Sequence, residues 1–200
     1  SVLCDLSEMP ADFAGTKLPA WASMQQELRA LGMAIEPVPV VDERGRPLEE
    51  ARAVLEVVAR HDMVLATGHL ARGEIFAMVD AAVQHGVRLV VATHPEFPSQ
   101  NLSIEDQREL ASRGALLERC FTTPHMGACT WERWLEAIRA VGPENSFLSS
   151  DLGQRGNPPV EDGLGLMADR LLEAGFSEAE VRTMAVDNTR RLAALALPLR

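Results

Sequence analysis

Two histidines and an aspartate occupy matching places in this chain. Ala66-Thr67-Gly68-His69, Val91-Ala92-Thr93-His94-Pro95 and Leu148-Ser149-Ser150-Asp151 each close an apolar run, and each ends on or beside a side chain able to bind a metal. Neutral imidazole and carboxylate are the usual ligands of a catalytic Zn²⁺ or a similar divalent ion. In a βα repeat, the carboxyl ends of the strands are where such groups gather. Taken singly, each has an ordinary explanation. His69 and His94 could be caps or hydrogen-bonded core residues, and Asp151 a helix cap or turn former. Gly68 lets backbone or ligand approach closely, and Pro95 predicts extended backbone at His94. Taken together, three strand ends that deliver metal-competent groups point to one site. The imidazoles would hold the ion, and the carboxylate would both ligate it and take a proton from water.

The elements that must position these groups can be read from hydrophobic periodicity and stop signals. Residues 48–61 have helical spacing, 63–67 (MVLAT) read as a buried strand, 72–85 as an amphipathic helix, and 87–93 (VRLVVAT) as the clearest strand. Ser103 with Asp106 and Gln107 opens a helix to Arg113. Residues 115–121 (ALLERCF) make a third strand, Trp131 to Val141 a helix, and 146–150 (SFLSS) a fourth strand. A helix follows over 163–174, and the Ser177/Glu180 capping box starts another over 178–187, with a last segment over 188–196. Strands that begin near 63, 87, 115 and 146 have the rhythm of successive βα units on a parallel sheet. Ahead of them, Ser1 to Leu6 could add a strand, 19–32 a helix, and the turn-rich 36–47 a small hairpin. The fold class is therefore α/β, a parallel TIM-barrel type that is incomplete at about five βα units, since a full barrel has eight. Residues 1–200 read as one domain.

Composition narrows the function. The chain has 29 acidic against 19 basic residues, a formal charge of −10, which would repel phosphate backbones and disfavours nucleic acid as a partner. Apolar residues make up 46% and charged ones 24%, as in soluble proteins. No apolar run reaches the roughly 20 residues of a membrane span, and no signal-peptide pattern opens the chain. The cysteines Cys4, Cys120 and Cys129 are odd in number and lack CxxC spacing, which fits a reducing, cytoplasmic setting. Lys17 is the single lysine, so a catalytic lysine has almost no candidates.

Four further residues could face the same rim. His125, in Pro124-His125-Met126-Gly127, could bind substrate or replace a ligand, or be a solvated loop histidine. Glu118 is a charge inside a strand, either aimed into the barrel to pair with an arginine or contact the site, or exposed on an open face. Gln154 and Arg155, in the polar loop after Asp151, are candidate substrate contacts. His61 and His85 end helices, where a cation suits the macrodipole, and are given no site role.

From His61 to Leu197 the chain resembles the C-terminal part of amidohydrolase-superfamily proteins, closest to a group of cytosolic TIM-barrel metal-dependent hydrolases. The resemblance rests on VLATGH (64–69), VVATHP (90–95), LSSDLGQ (148–154) with the following Asn157-Pro158-Pro159, and the closing AVDNTRRLAAL (185–195). It implies that His69, His94 and Asp151 complete a metal site for Zn²⁺ or Mn²⁺, with Asp151 also activating water. The chain departs from that pattern at its front, since no His-x-His pair occurs in it. The expectation is a C-terminal fragment, a shortened relative, or a chain completed by another one.

The implied activity is hydrolysis of an amide, ester or lactone bond in a small-molecule substrate, with water activated by the metal. The same superfamily contains metal-dependent decarboxylases. A reading of another class is a non-catalytic half-barrel that binds a partner chain, because five strands cannot surround an eight-strand core. A homo-oligomer, or a missing N-terminal segment packed on the open side, follows from the same count.

Overall fold

The computed structural model describes residues 20–34 and 38–195. The strand expected over Ser1–Leu6, with Cys4 and Lys17, lies outside them. Four strands among the described residues form one sheet: β1 (Val64–Ala66), β2 (Leu89–Ala92), β3 (Ala115–Cys120) and β4 (Ser146–Ser149). Their spatial order is β1-β2-β3-β4, and every neighbouring pair is parallel, with Leu65 opposite Val90, Val91 opposite Leu116 and Arg119 opposite Leu148. Sequential, parallel neighbours joined by helices are what right-handed βα crossovers produce. All four strand ends therefore open onto one rim.

The helices are α1 (Ala20–Ala30), α2 (Glu49–Arg60), α3 (Arg72–Gln84), α4 (Ile104–Ser112), α5 (Thr122–His125), α6 (Trp131–Val141), α7 (Gly163–Glu173), α8 (Glu178–Arg182) and α9 (Asn188–Leu195). None among the described residues is long and apolar enough to cross a membrane. The caps expected from sequence form. The Ser103 hydroxyl accepts from Asp106 N–H while the Asp106 carboxylate accepts from Ser103 N–H, and Ser177 pairs with Glu180 in the same way. The turn-rich stretch makes its hairpin, with Val41 bridged to Pro47 and the Asp42 carboxylate accepting from Arg44 and Arg46 N–H.

Side-chain alternation sorts the sheet into two faces. Val90, Ala92, Ala115 and Leu117 pack outward with α2, α3 and α4 around Leu55, Ile75, Val79 and Leu110. Phe121 and Leu148 extend that layer against Trp134, Ile138, Met167, Leu171 and Met184. Val91, Leu116 and Phe147 form a separate group on the opposite face, packed by Val64 and by Leu192 of α9.

Two segments differ from expectation. The helix expected over 178–187 divides at a π-turn, Thr183–Asp187, before α9. Thr183 Oγ1 bonds back to Ala179 O at 2.9 Å, and the extra residue in the turn brings Asn188 inward. Its buried side-chain amide donates to the carbonyls of Ser146, Pro143 and Glu144 at 2.7, 3.0 and 3.2 Å, tying this helix to the start of β4. Residues 122–125, given no element from sequence, make the short helix α5.

Candidate metal centre

The two histidine corners are built from matching threonines. Thr67 N donates to Val91 O at 2.9 Å, as in an extended ladder. Beyond it the side chains continue the pairing: Thr93 N donates to Thr67 Oγ1, and Gly68 N donates to Thr93 Oγ1, both at 3.1 Å. This reciprocal stitch explains why Ala-Thr precedes the turn in both motifs. It closes β1 and β2 on each other at the rim and leaves His69 and His94 side by side. Their Nε2 atoms are 3.2 Å apart, with ring centroids at 4.4 Å and planes at 60°. Phe97 packs edgewise on His69 and tilted on His94, at 5.5 and 5.1 Å.

Backbone geometry marks the same corners. His94 has φ +26° and Asp151 φ +49°, in the left-handed region that costs a non-glycine residue. The extended conformation expected of His94 ahead of Pro95 is thus not the one adopted. The turn that follows, with Phe97 N donating to His94 O and Leu102 N to Pro95 O, overrides the local preference. Gly68 occupies the corresponding corner of β1 at φ +58°.

Both rings are depleted of protons near neutral pH. Burial, followed by the adjacent His69, lowers the His94 pKa to about 4. Burial also lowers that of His69, with the Asp151 charge acting in the other direction. A neutral imidazole is the form that binds a metal. His94 Nδ1 is buried and makes no hydrogen bond of normal geometry.

Asp151 stands at the end of β4, exposed, with Oδ2 accepting from Thr122 Oγ1 at 2.8 Å. Its charge reaches both histidines and also Glu118, whose carboxyl is held above the usual range mainly by burial. Glu118 therefore faces the site side of the sheet. Its neighbour Arg119, on the helix side, is fully buried and forms an ion pair with Glu96. The remaining candidates lie further out. His125 is exposed and stacks on Phe121 at 4.8 Å, and Gln154 and Arg155 are exposed in the loop after Asp151. Cys120 and Cys129 are free, and burial holds both thiols well above their usual range, Cys129 at about 12, so neither offers a thiolate.

The histidine pair brings two ring nitrogens to 3.2 Å, within hydrogen-bond reach and also the separation that two ligands of one divalent cation would have. No group of three or more His, Cys, Asp or Glu side chains among the described residues has the spacing to hold an ion as it stands. The pair is in place, and Asp151 lies beyond it on the same rim.

Sequence reading passed over the residues that hold these groups: Phe97, Ser99 and Gln100 in the loop after His94, Thr122 beside Asp151, the Glu96–Arg119 pair, and Gly163. Gly163, at the start of α7, lies against the Asp151 corner. A Cβ there would stand 2.7 Å from both Ser150 Cβ and Leu152 Cδ1. Gly→Ala in a helix ordinarily stabilises by about 1 kcal/mol. Here we expect Gly163→Ala to destabilise by roughly 1–3 kcal/mol through overpacking. A denaturant midpoint at or above wild type would contradict this.

Comparison with known proteins places the fold. A solved metallopeptidase of family M19, dipeptidase AC, is 18% identical, with 74% of this chain and 47% of that chain covered and a TM-score of 0.56. The chain thus spans about half the length of that dipeptidase. An amidohydrolase from Burkholderia multivorans, solved with bound zinc, is 16% identical over 92% of this chain and 73% of its own, with a TM-score of 0.49. The described residues share with that dipeptidase an α/β architecture, here four sequential parallel strands flanked by helices, as expected of a parallel TIM-barrel type. No curated protein matches. Residues 12–118, more than half the chain, match the model described as "Family of unknown function (DUF6282)", and the chain belongs to that family.

Proposed function

We propose that this protein is a metal-dependent hydrolase of amidohydrolase type, in which His69 and His94 hold a divalent cation, Zn²⁺ or Mn²⁺, and Asp151 completes its coordination. The observation that carries this reading is the pair of neutral imidazoles with Nε2 atoms 3.2 Å apart at adjacent parallel strand ends. Strained backbone at His94 and Asp151 supports it, because such strain concentrates at functional sites. A cation held there would polarise an amide, ester or lactone carbonyl and make water acidic enough to attack it. Asp151 is exposed, and its Oδ2 is fixed by Thr122. In this reading Asp151 would accept a proton from the attacking water and return it to the leaving group. The exposed loop with Gln154 and Arg155, and the exposed His125 of α5, would meet a small-molecule substrate.

A second reading, a non-catalytic subunit, is favoured by the absence of a ready three-donor group among the described residues. Elemental analysis and zinc titration separate the two. The proposal expects one Zn or Mn per chain. It also expects hydrolysis of a panel of amides, esters and lactones that falls roughly 10²–10⁴-fold in Asp151→Asn. Protein that stays folded and takes up no metal at equimolar zinc would defeat it.

A further inference from the structure

We infer that Gln100, acting through Ser99, locks His69 in one tautomer and so presents its Nε2 as a lone pair toward His94. Gln100 is 1% exposed, and its side chain bonds Gly68 O at 3.0 Å. A carbonyl only accepts, so the amide nitrogen must face Gly68, and Oε1 must face the other way. Ser99 Oγ lies 2.7 Å from that Oε1. The amide oxygen is also only an acceptor, so the single hydroxyl proton of Ser99 is committed to it. What Ser99 offers on its other side is a lone pair. His69 Nδ1 is 3.3 Å from Ser99 Oγ, and that contact is a hydrogen bond only if Nδ1 carries the proton. A neutral imidazole has one N–H, so Nε2 carries no proton.

The consequence falls where the site needs it. The unprotonated Nε2 of His69 faces His94 Nε2 at 3.2 Å. Gln100 also grips Gly68, the residue that turns the backbone into His69, so one buried amide sets both the position and the protonation pattern of that ring. Ser99 and Gln100 are thus positioning residues. Their importance for cation binding rests on the proposed role of the histidine pair, but the tautomer itself does not.

The test keeps these apart. Full-length protein, ¹⁵N-labelled at histidine and stripped of metal with chelator, is examined by two-bond ¹H–¹⁵N correlation NMR above pH 7, where protonated and bare ring nitrogens are distinct. Wild type is expected to show His69 as the Nδ1–H tautomer. Ser99→Ala should populate the Nε2–H form, Gln100→Leu should do the same by freeing the Ser99 hydroxyl to rotate, and Ser99→Thr should restore the wild-type pattern. Zinc titration of the same proteins should show a roughly 10–100-fold loss of affinity in Ser99→Ala, as for other partners behind a ligand, with recovery in Ser99→Thr. A wild-type His69 protonated at Nε2, or a tautomer indifferent to Ser99→Ala and Gln100→Leu, would overturn the inference. The expected tautomers in a wild type that binds no zinc would uphold it and overturn the hydrolase reading instead.

Discussion

His94→Ala is expected to abolish stoichiometric zinc binding and leave a folded protein. The loss should exceed the roughly 10–100-fold that an outer partner of a ligand typically costs, because a donor is removed outright. The wild-type pH profile gives the same experiment a second readout. With its pKa lowered to about 4 by burial and by His69, His94 has no proton to release when a cation binds near pH 7. The His94 share of zinc affinity should therefore hold through pH 6.5 and be lost as the pH falls toward 4, while His69, also lowered by burial, adds its own loss in the same direction. Stability of the metal-free protein follows the same linkage. The folded pKa lies below the unfolded value near 6.5, so between the two values the unfolded chain binds the extra proton. The His94 contribution is complete above pH 6.5 and is lost as the pH falls toward 4, a difference on the order of 3 kcal/mol. His94→Ala should flatten that part of the stability profile. A variant that binds zinc like wild type, or an affinity already falling at pH 7, would contradict the assignment.

How much of this was legible in the chain depends on the range of the interactions. The strands were readable because each is a short apolar run closed by a turn signal, and their parallel order follows from spacing and crossover handedness. His69, His94 and Asp151 could be singled out because each repeats one relation to its strand. The 94–101 loop could not be read that way. Its backbone is set by bonds such as Gln100 to Gly68, 32 residues apart, which leave no periodic trace. His94 shows the limit most directly. The local effect of Pro95 pointed to extended backbone, and a turn closed by Leu102 onto Pro95 prevailed. The π-turn was equally hidden, because Asn188 serves carbonyls at residues 143–146, which a local capping pattern does not reveal. Gly163 looked like an ordinary helix residue until the Asp151 corner was placed against it.

The other large expected effect lies beneath the loop that carries His94. Glu96 and Arg119 have fully buried side chains and are ion-paired. Arg119 also donates to Gln107 Oε1 at 2.7 Å and to Ser146 Oγ at 3.1 Å. The network is nevertheless incomplete, since Glu96 Oε2 and Arg119 Nη2 are buried without a partner. Glu96→Leu should cost about 3–5 kcal/mol, because it strands a guanidinium that cannot shed its proton. Arg119→Met should also destabilise, because it leaves the buried Glu96 side chain without its partner. The double variant should recover to near or above wild-type stability, since well-packed apolar replacements of buried ion pairs are often neutral or stabilising by about 1–4 kcal/mol. Chemical denaturation of all four proteins gives the cycle. Single variants that each cost under about 1 kcal/mol would show that the pair is not dry. If the double variant is stable yet binds zinc more weakly, the ion pair is kept for something other than stability. Glu96 would then serve to hold the loop that sets His94 against His69, and the weakened zinc binding would measure how firmly it does so.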